Sequence, residues 1–277
     1  MKKKLGCLYV FLLTISMGWL HAASTESNLK KIHCRLEAIP SRNTHSSHLG
    51  VLPHIRIRES TSLNWSGYAA ATSLTKPETG SVSAVAGSWV VPTLSSQPGQ
   101  TYSSFWVGID GYASSTVEQI GTEHDWSNDE QSDYAWFEMY PGYSFKISGF
   151  PVNPGDEISA SVKYVSNNKF QLAISNLTHG VTTVVPGTYT KLAGTHRSSA
   201  EWVVEAPFSG SILPLADFGT ASFTNCTTTI LGVTGPINSG HWVSDELTME
   251  TQNGIVKALP SVLSGSGEDF HVTWEHE

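Results

Sequence analysis

The chain is organised around four short runs, FWVGIDG (105–111), VEQIG (117–121), YAWFEMYP (134–141) and AEWVVE (200–205). Aromatic and β-branched residues mix in them with glycine and polar residues, a pattern typical of half-buried strands. Because neighbouring residues on a strand point to opposite faces, Trp136, Glu138 and Tyr140 share one face. Glu201 can join that face while Trp202 packs inside. We therefore expect aromatic, acidic and amide side chains to form a wall on one sheet face.

The same pattern continues over residues 62–277. Short runs of β-branched and aromatic residues are bounded by turn residues, and no stretch has sustained helical periodicity. These features predict one all-β domain, a β-sandwich or barrel of antiparallel sheets. The predicted strands are 64–71, 82–91, 103–109, 134–140, 157–165, 170–176, 182–185, 201–204, 222–229 and 272–275.

The N-terminus has the order of a secretory signal peptide, which we predict at residues 1–23. Three lysines (2–4) precede an apolar run (5–20), and small residues follow it. The apolar run is shorter than the ~20 residues that a membrane span needs, so an uncleaved anchor is the less favoured alternative. We expect a secreted protein, extracellular or periplasmic, whose mature form is a monomer without membrane association.

Residues 24–61 differ in charge from the domain that follows. This leader has six Lys and Arg against three Asp and Glu, whereas residues 62–277 have seven against 21, a formal charge of −14. A basic leader on an acidic domain would be released as carboxylates are protonated, which is the logic of an acid-activated pro-segment. A disordered linker is the open alternative. Whether Cys34 pairs with Cys226 also stays open.

The sequence lacks the motifs of several common enzyme classes, and this limits the catalytic groups that it could use. The sequence has no HExxH or other spaced zinc site, no GxSxG elbow, no Walker loop and no GxGxxG, so we predict no metal and no cofactor. The acidic charge and the lack of a basic patch argue against nucleic acid as a partner. His124 is interpreted as a loop histidine, because no nucleophile motif accompanies it. Carboxylates and amides remain as candidate catalytic groups.

Seven motifs, in order along the chain, resemble the glutamic peptidases, also called eqolisins. They are NWSGY (64–68), SWVVPT (88–93), WVGIDG (106–111), EQIG (118–121), YAWFEMYP (134–141), AEWVVE (200–205) and DFGTASFTN (217–225). The resemblance implies a β-sandwich of two long antiparallel sheets with the active site on a concave face. It also implies a secreted endopeptidase that cuts protein or peptide substrates in acid, with Gln119 and Glu201 as the catalytic pair.

That pair is chemically reasonable for peptide hydrolysis. Glu201 would accept a proton from the attacking water, and the Gln119 amide would donate to the developing oxyanion without titrating. A carboxylate with a pKa near the ordinary ~4.3 is a competent base only in mildly acidic solution and above, and we expect an acidic pH optimum. The resemblance further implies substrate-binding positions, with Asp110 also bracing a Gln119 loop: Trp106, Asp110, Trp136, Glu138 and Tyr140.

Two other functions fit the same wall of side chains. A jelly-roll glycoside hydrolase would use two carboxylates roughly 5 to 9.5 Å apart, such as Glu138 and Glu201, and would not need Gln119. A non-catalytic carbohydrate-binding module would use the aromatic residues for stacking, and neither Gln119 nor Glu201 would matter beyond affinity.

Overall fold

A computed structural model describes residues 28–39, 54–58, 60–185, 189–190 and 195–277. Within these residues the chain has 20 strands and no helix, which confirms the all-β prediction. No described helix is therefore long and apolar enough to cross a membrane. The predicted signal peptide lies outside the described residues. The strands are β1 (Lys30–Lys31), β2 (Arg35–Ala38), β3 (Arg56–Arg58), β4 (Thr61–Ser62), β5 (Trp65–Ala71), β6 (Val82–Val90), β7 (Thr101–Ile109), β8 (Val117–Ser127), β9 (Glu130–Tyr140), β10 (Ser144–Ser148), β11 (Glu157–Ser166), β12 (Lys169–Asn176), β13 (Val181–Val184), β14 (Tyr189–Thr190), β15 (Ser199–Glu205), β16 (Thr220–Ile230), β17 (Val233–Pro236), β18 (Val243–Glu250), β19 (Val256–Pro260) and β20 (Phe270–Trp274).

The strands pair in two series that meet at β18. The front strands pair antiparallel in the order β2, β10, β9, β8, β7, β15, β5 and β18. The rear strands pair in the order β1, β13, β12, β11, β6, β16, β20, β19 and β18, with β1 parallel to β13. Because β18 belongs to both series, the strands form one continuous mixed network. The division into two separate sheets stays a prediction.

The main hydrophobic core lies where front and rear side chains meet. The Trp202 indole of β15 donates to the Ala86 carbonyl oxygen of β6 at 2.8 Å, and the Trp89 indole of β6 donates to the Thr122 hydroxyl of β8 at 2.8 Å. A second, smaller apolar cluster forms separately from this core and includes Trp106 and Trp136. Strand alternation explains the separation, since residues of opposite parity, that is, with odd and with even numbers, occupy opposite faces of one strand. The second cluster marks the outer face of the front strands.

Part of the leader is built into the edges of this network. β1 pairs with β13, and β2 pairs with β10. Lys30, Lys31 and Arg35 are exposed, and none forms an ion pair within the described part of the chain. Three leader side chains pack against the main core: Ile32, Cys34 and Leu36. Backbone pairing with sheet edges and apolar contact therefore hold this part of the leader, and its release in acid stays a prediction.

The two cysteines among the described residues do not form a disulfide. Cys34 is partly buried in the leader, and Cys226 is fully buried in β16. Burial raises the pKa of both thiols, and the nearby Asp269 and Glu268 raise that of Cys226 further. The described fold does not depend on a cystine bridge.

His124 lies inside β8 and is fully buried, so its interpretation as a loop histidine is wrong. Its Nδ1 lies 2.7 Å from Asp133 Oδ1, and its Nε2 lies 3.0 Å from the Thr122 hydroxyl. Gln131 also donates to Asp133, at 2.9 Å. A histidine tolerates the interior when both ring nitrogens have partners. Its parity places it on the core side of β8, opposite the face that carries Gln119.

Candidate active site

Four residues form a row across adjacent front strands. Glu201 of β15 is directly opposite Gly108 of β7, Gly108 is opposite Gln119 of β8, and Gln119 is opposite Glu138 of β9. Directly opposed residues present their side chains on the same face of a sheet. With ~4.8 Å between neighbouring strands, the Glu201 and Gln119 backbones lie about 10 Å apart. Gly108 between them has no side chain, and the edge of the Trp106 ring lies 2.9 Å from where its Cβ would stand.

Gln119 is fixed by a carboxylate on the next strand. Its Nε2 donates a hydrogen bond to Glu138 Oε2 at 2.9 Å, and both residues are buried. An amide NH2 has two hydrogens, so one remains to donate elsewhere. The other amide atom, Gln119 Oε1, has no hydrogen-bond partner in the described part of the chain. Glu138 therefore orients the amide, and Gln119 lies within a strand rather than in the predicted loop.

Glu201 is a fully buried carboxyl group whose two oxygens accept no hydrogen bond from the described residues. Burial raises its pKa well above the ordinary value, and the negative charges of Asp110 and Glu118 raise it further. The Ser199 hydroxyl and the Tyr112 backbone N–H lie near enough to lower the pKa in part, without completing a hydrogen bond. In this state Glu201 therefore does not have the ordinary pKa of a carboxyl group, and it holds its proton in acid.

Asp110 directly follows β7, is fully buried and has a left-handed backbone conformation (φ 74°). Its carboxylate accepts backbone N–H groups from residues 196–198 at 2.6 to 2.9 Å, together with the Ser198 hydroxyl at 2.9 Å. One further contact, from the Thr116 hydroxyl at 3.3 Å, reaches the residues just before β8. Asp110 thus fixes the segment that leads into β15 and Glu201. Its predicted contact with substrate stays a prediction that these contacts do not support.

The predicted aromatic residues lie on the same face as the row. Trp106, Trp136 and Tyr140 belong to the second apolar cluster, and each is nearly or fully buried. The Trp106 indole donates to Glu205 Oε2 at 2.8 Å. Burial raises the pKa of Tyr140, and the charges of Glu138 and Glu205 add to that rise. The structure brings the aromatic residues together beside Glu201 and Gln119, while their contact with a substrate stays a prediction.

Sequence reasoning missed several neighbours of the row. Glu205 has the same parity as Glu201 on β15, so strand alternation alone could have found it. Tyr112 and Asp245 are 133 residues apart, and the Tyr112 hydroxyl donates to Asp245 Oδ2 at 2.6 Å. No local sequence pattern signals a contact over such a separation. Among the described residues, no group of three or more His, Cys, Asp or Glu could hold a metal ion.

Comparison with known proteins matches residues 63–268 to the model of the Peptidase A4 family. Aspergillopepsin-2 of Aspergillus niger is 34% identical over 175 residues, which are 62% of this chain and 58% of the relative. Scytalidopepsin B of Scytalidium lignicola is 33% identical over 132 residues, 45% of this chain and 50% of the relative. The chain thus spans only half to three fifths of the length of these relatives.

Solved structures give the same picture of the fold. The aspergilloglutamic peptidase from Aspergillus niger superposes with a TM-score of 0.56 at 30% identity, covering 63% of this chain and 99% of that one. A scytalido-glutamic peptidase with a transition state analog inhibitor gives a TM-score of 0.64 at 24% identity, covering 76% of this chain and 98% of that one. At the lower identity, the likeness concerns the fold alone.

Proposed function

The chain belongs to the Peptidase A4 family, and we propose that it is a glutamic-type acid endopeptidase acting on protein or peptide substrates. The observation that carries this proposal is the row in which Gly108 separates Glu201 from Gln119, with Glu138 holding the amide. A related protein of the same fold, SCP-B of the eqolisin family, is described in complex with the tripeptide Ala-Ile-His. An extended peptide would cross the row above Gly108.

In the proposed reaction, ionised Glu201 accepts a proton from water as the water oxygen attacks the scissile carbonyl carbon. The carbonyl oxygen becomes an oxyanion and accepts a hydrogen bond from the NH2 group of Gln119, whose donation does not depend on pH. When the tetrahedral intermediate collapses, Glu201 returns the proton to the leaving nitrogen and the C–N bond breaks. No metal or cofactor takes part in this sequence.

The leader acts in this proposal as a pro-segment. Two described leader residues, Ile39 and His54, pack against the second apolar cluster on the face that carries the row. A fully buried Glu201 with a raised pKa is a poor base in acid. Removal of the leader would admit water to the face, and hydration would lower the pKa of Glu201 towards its ordinary value. Secretion through residues 1–23 and a monomeric mature form complete the proposal.

The pairing register of the front strands argues against the glycoside hydrolase alternative. Glu138 and Glu201 lie three strand spacings apart, about 14 Å between backbones, with Gln119 and Gly108 between them. Glu138 accepts a hydrogen bond from the Gln119 amide at 2.9 Å, which occupies it as an orienting group. A carbohydrate-binding module has no need for a buried carboxyl group with a raised pKa.

The test is hydrolysis of denatured protein from pH 2 to 7 by wild type, Gln119→Ala and Glu201→Gln, after leader removal and with folding confirmed by circular dichroism. We expect both variants to lose at least ~10²-fold in kcat, because Gln119→Ala removes the oxyanion donor and Glu201→Gln removes the general base. Exposed residues of the same types supply matched controls, Gln171→Ala and Glu157→Gln, which should retain activity. Normal cutting by Gln119→Ala would refute the mechanism, and polysaccharides would become the next substrates to test.

A further inference from the structure

The leader places one imidazole ring between two aromatic walls on the outer face. His54 is 1% exposed and stacks on Trp65, with ring centroids 5.1 Å apart and an interplanar angle of 10°. It also stacks on Tyr112, with ring centroids 5.5 Å apart and an interplanar angle of 24°. Its Nδ1 lies 3.3 Å from the Tyr112 carbonyl oxygen. Trp65 and Tyr112 thus form a slot that a flat ring fills.

The walls of this slot are held from behind. Trp65 packs edge-on against Trp106, with ring centroids 4.8 Å apart, and the Tyr112 hydroxyl donates to Asp245 Oδ2 at 2.6 Å. Gly111 lets the Tyr112 loop approach, because an added Cβ there would lie 2.7 Å from the Trp65 ring. Walls fixed in this way keep their spacing when the ring between them is exchanged.

The slot also lies next to the proposed base. The Tyr112 backbone N–H is close enough to Glu201 to lower its pKa, so the Tyr112 wall adjoins the carboxyl group. The Trp65 indole N–H is fully buried and donates no hydrogen bond within the described residues. Trp65 and Tyr112 fall inside the region that matches the family, residues 63–268, whereas His54 precedes it. The walls belong to the catalytic domain and their occupant belongs to the leader.

We propose that Trp65 and Tyr112 form a substrate subsite for one flat side-chain ring, and that His54 fills this subsite while the leader is in place. The proposal rests on the peptidase function proposed above. Stacked rings gain energy beyond the apolar area that they bury, so phenylalanine, tyrosine and histidine side chains should be preferred there. The Trp65 N–H offers a donor to a peptide carbonyl oxygen beside the ring. A leader that mimics a substrate side chain blocks the subsite without being a good substrate itself.

A binding experiment tests the slot without catalysis. The full chain carrying His54→Ala should melt at a lower temperature than wild type, and millimolar imidazole or N-acetylphenylalaninamide should restore part of the loss by filling the cavity. The same compounds should not shift the melting temperature of His54→Phe, which keeps a ring in the slot and should melt close to wild type. His33→Ala removes an exposed leader histidine and is the matched control. If His54→Phe is as unstable as His54→Ala, or if neither compound raises the melting temperature of a folded His54→Ala, the proposal is wrong.

An activity experiment tests the substrate preference. Fluorogenic peptides with Ala, Leu or Phe at each position around the scissile bond would be incubated with full-length wild type, His33→Ala, His54→Ala and His54→Phe at acidic pH. We expect His54→Ala to cut earliest, and to cut peptides with Phe at one position at least tenfold faster than those with Ala. His54→Phe should stay latent longest. If the variants cut peptides but prefer no ring at any position, the subsite proposal is wrong and the peptidase function stands. If no variant cuts any peptide, although the small compounds still raise the melting temperature of His54→Ala, the peptidase function is wrong and the ring-binding slot stands.

Discussion

Replacement of Glu201 by glutamine should stabilise the folded chain at neutral pH. Burial raises the pKa of this carboxyl group, so the folded state holds its proton more tightly than the unfolded chain does. The resulting stability is fully present below the unfolded pKa of ~4.3 and is lost as the pH rises towards the raised value of the folded state. Glu201→Gln removes this loss because the amide is neutral at every pH. Wild type and variant should therefore diverge above about pH 4.

The size of the gain follows from the environment of the carboxyl group. Each unit by which the folded state raises the pKa of this carboxyl group costs ~1.4 kcal/mol of folding stability once the pH lies above both pKa values, and the neutral amide does not carry that cost. For a domain of 150–250 residues, each kcal/mol shifts the melting temperature by about 2–4 °C. We therefore expect Glu201→Gln to unfold at a higher temperature than wild type at pH 7, by about 3–6 °C for each pKa unit, with a smaller difference in acid.

Urea unfolding of the full chain between pH 3.5 and 7 measures this difference directly. Both proteins would carry Gln119→Ala so that neither digests itself during the measurement. Glu157→Gln, in which an exposed carboxylate is replaced, should show no comparable divergence with pH. A Glu201→Gln chain that is less stable than its parent at pH 7, or a gap that does not widen between pH 4 and 7, would show that the folded chain does not raise this pKa.

Two further changes test how the row is held. Glu138→Leu removes the acceptor that orients the Gln119 amide. It should lower kcat about 10²-fold, the order expected when a catalytic group is misplaced by ~1 Å. Glu138→Gln keeps an acceptor oxygen and should keep most of the rate. Equal losses in both variants would contradict this role. Gly108→Ala would place a methyl group 2.9 Å from the Trp106 ring and 3.3 Å from Gln119 Cβ. The initial rate of hydrolysis should therefore fall at least tenfold. Gly240→Ala, which has open space around it, should leave this rate unchanged. Full activity in Gly108→Ala would mean that substrate does not cross the row there.

Strand alternation predicts which side chains of one strand share a face, and that part of the site could be read from the sequence. It correctly groups Trp136, Glu138 and Tyr140, and it assigns Glu201 to the outer face. Alternation does not predict which strands are neighbours. β15 lies between β5 and β7, although it follows them by about a hundred residues or more. The row itself could therefore not be derived from periodicity.

The errors of the sequence interpretation have a common physical cause. The lack of a nucleophile motif favours a loop position for His124, but Asp133 and Thr122 satisfy its ring nitrogens inside the core. The burial of Glu201, which raises its pKa, is likewise not visible in the sequence. In both cases the environment of a polar group depends on contacts made by other strands. Residue type alone fixes neither burial nor pKa.

The raised pKa of Glu201 also explains why an amide is the suitable partner in this row. The outer face already carries carboxyl groups at Glu138 and Glu205, and each negative charge added near Glu201 would raise its pKa further. A second carboxylate in place of Gln119 would hold a proton at some pH values and repel the oxyanion at others. The neutral amide donates throughout, and Glu138 accepts one of its two hydrogens, which leaves the second for the oxyanion. One titrating base beside one non-titrating donor is thus the arrangement that can work while the surrounding carboxylates gain and lose protons.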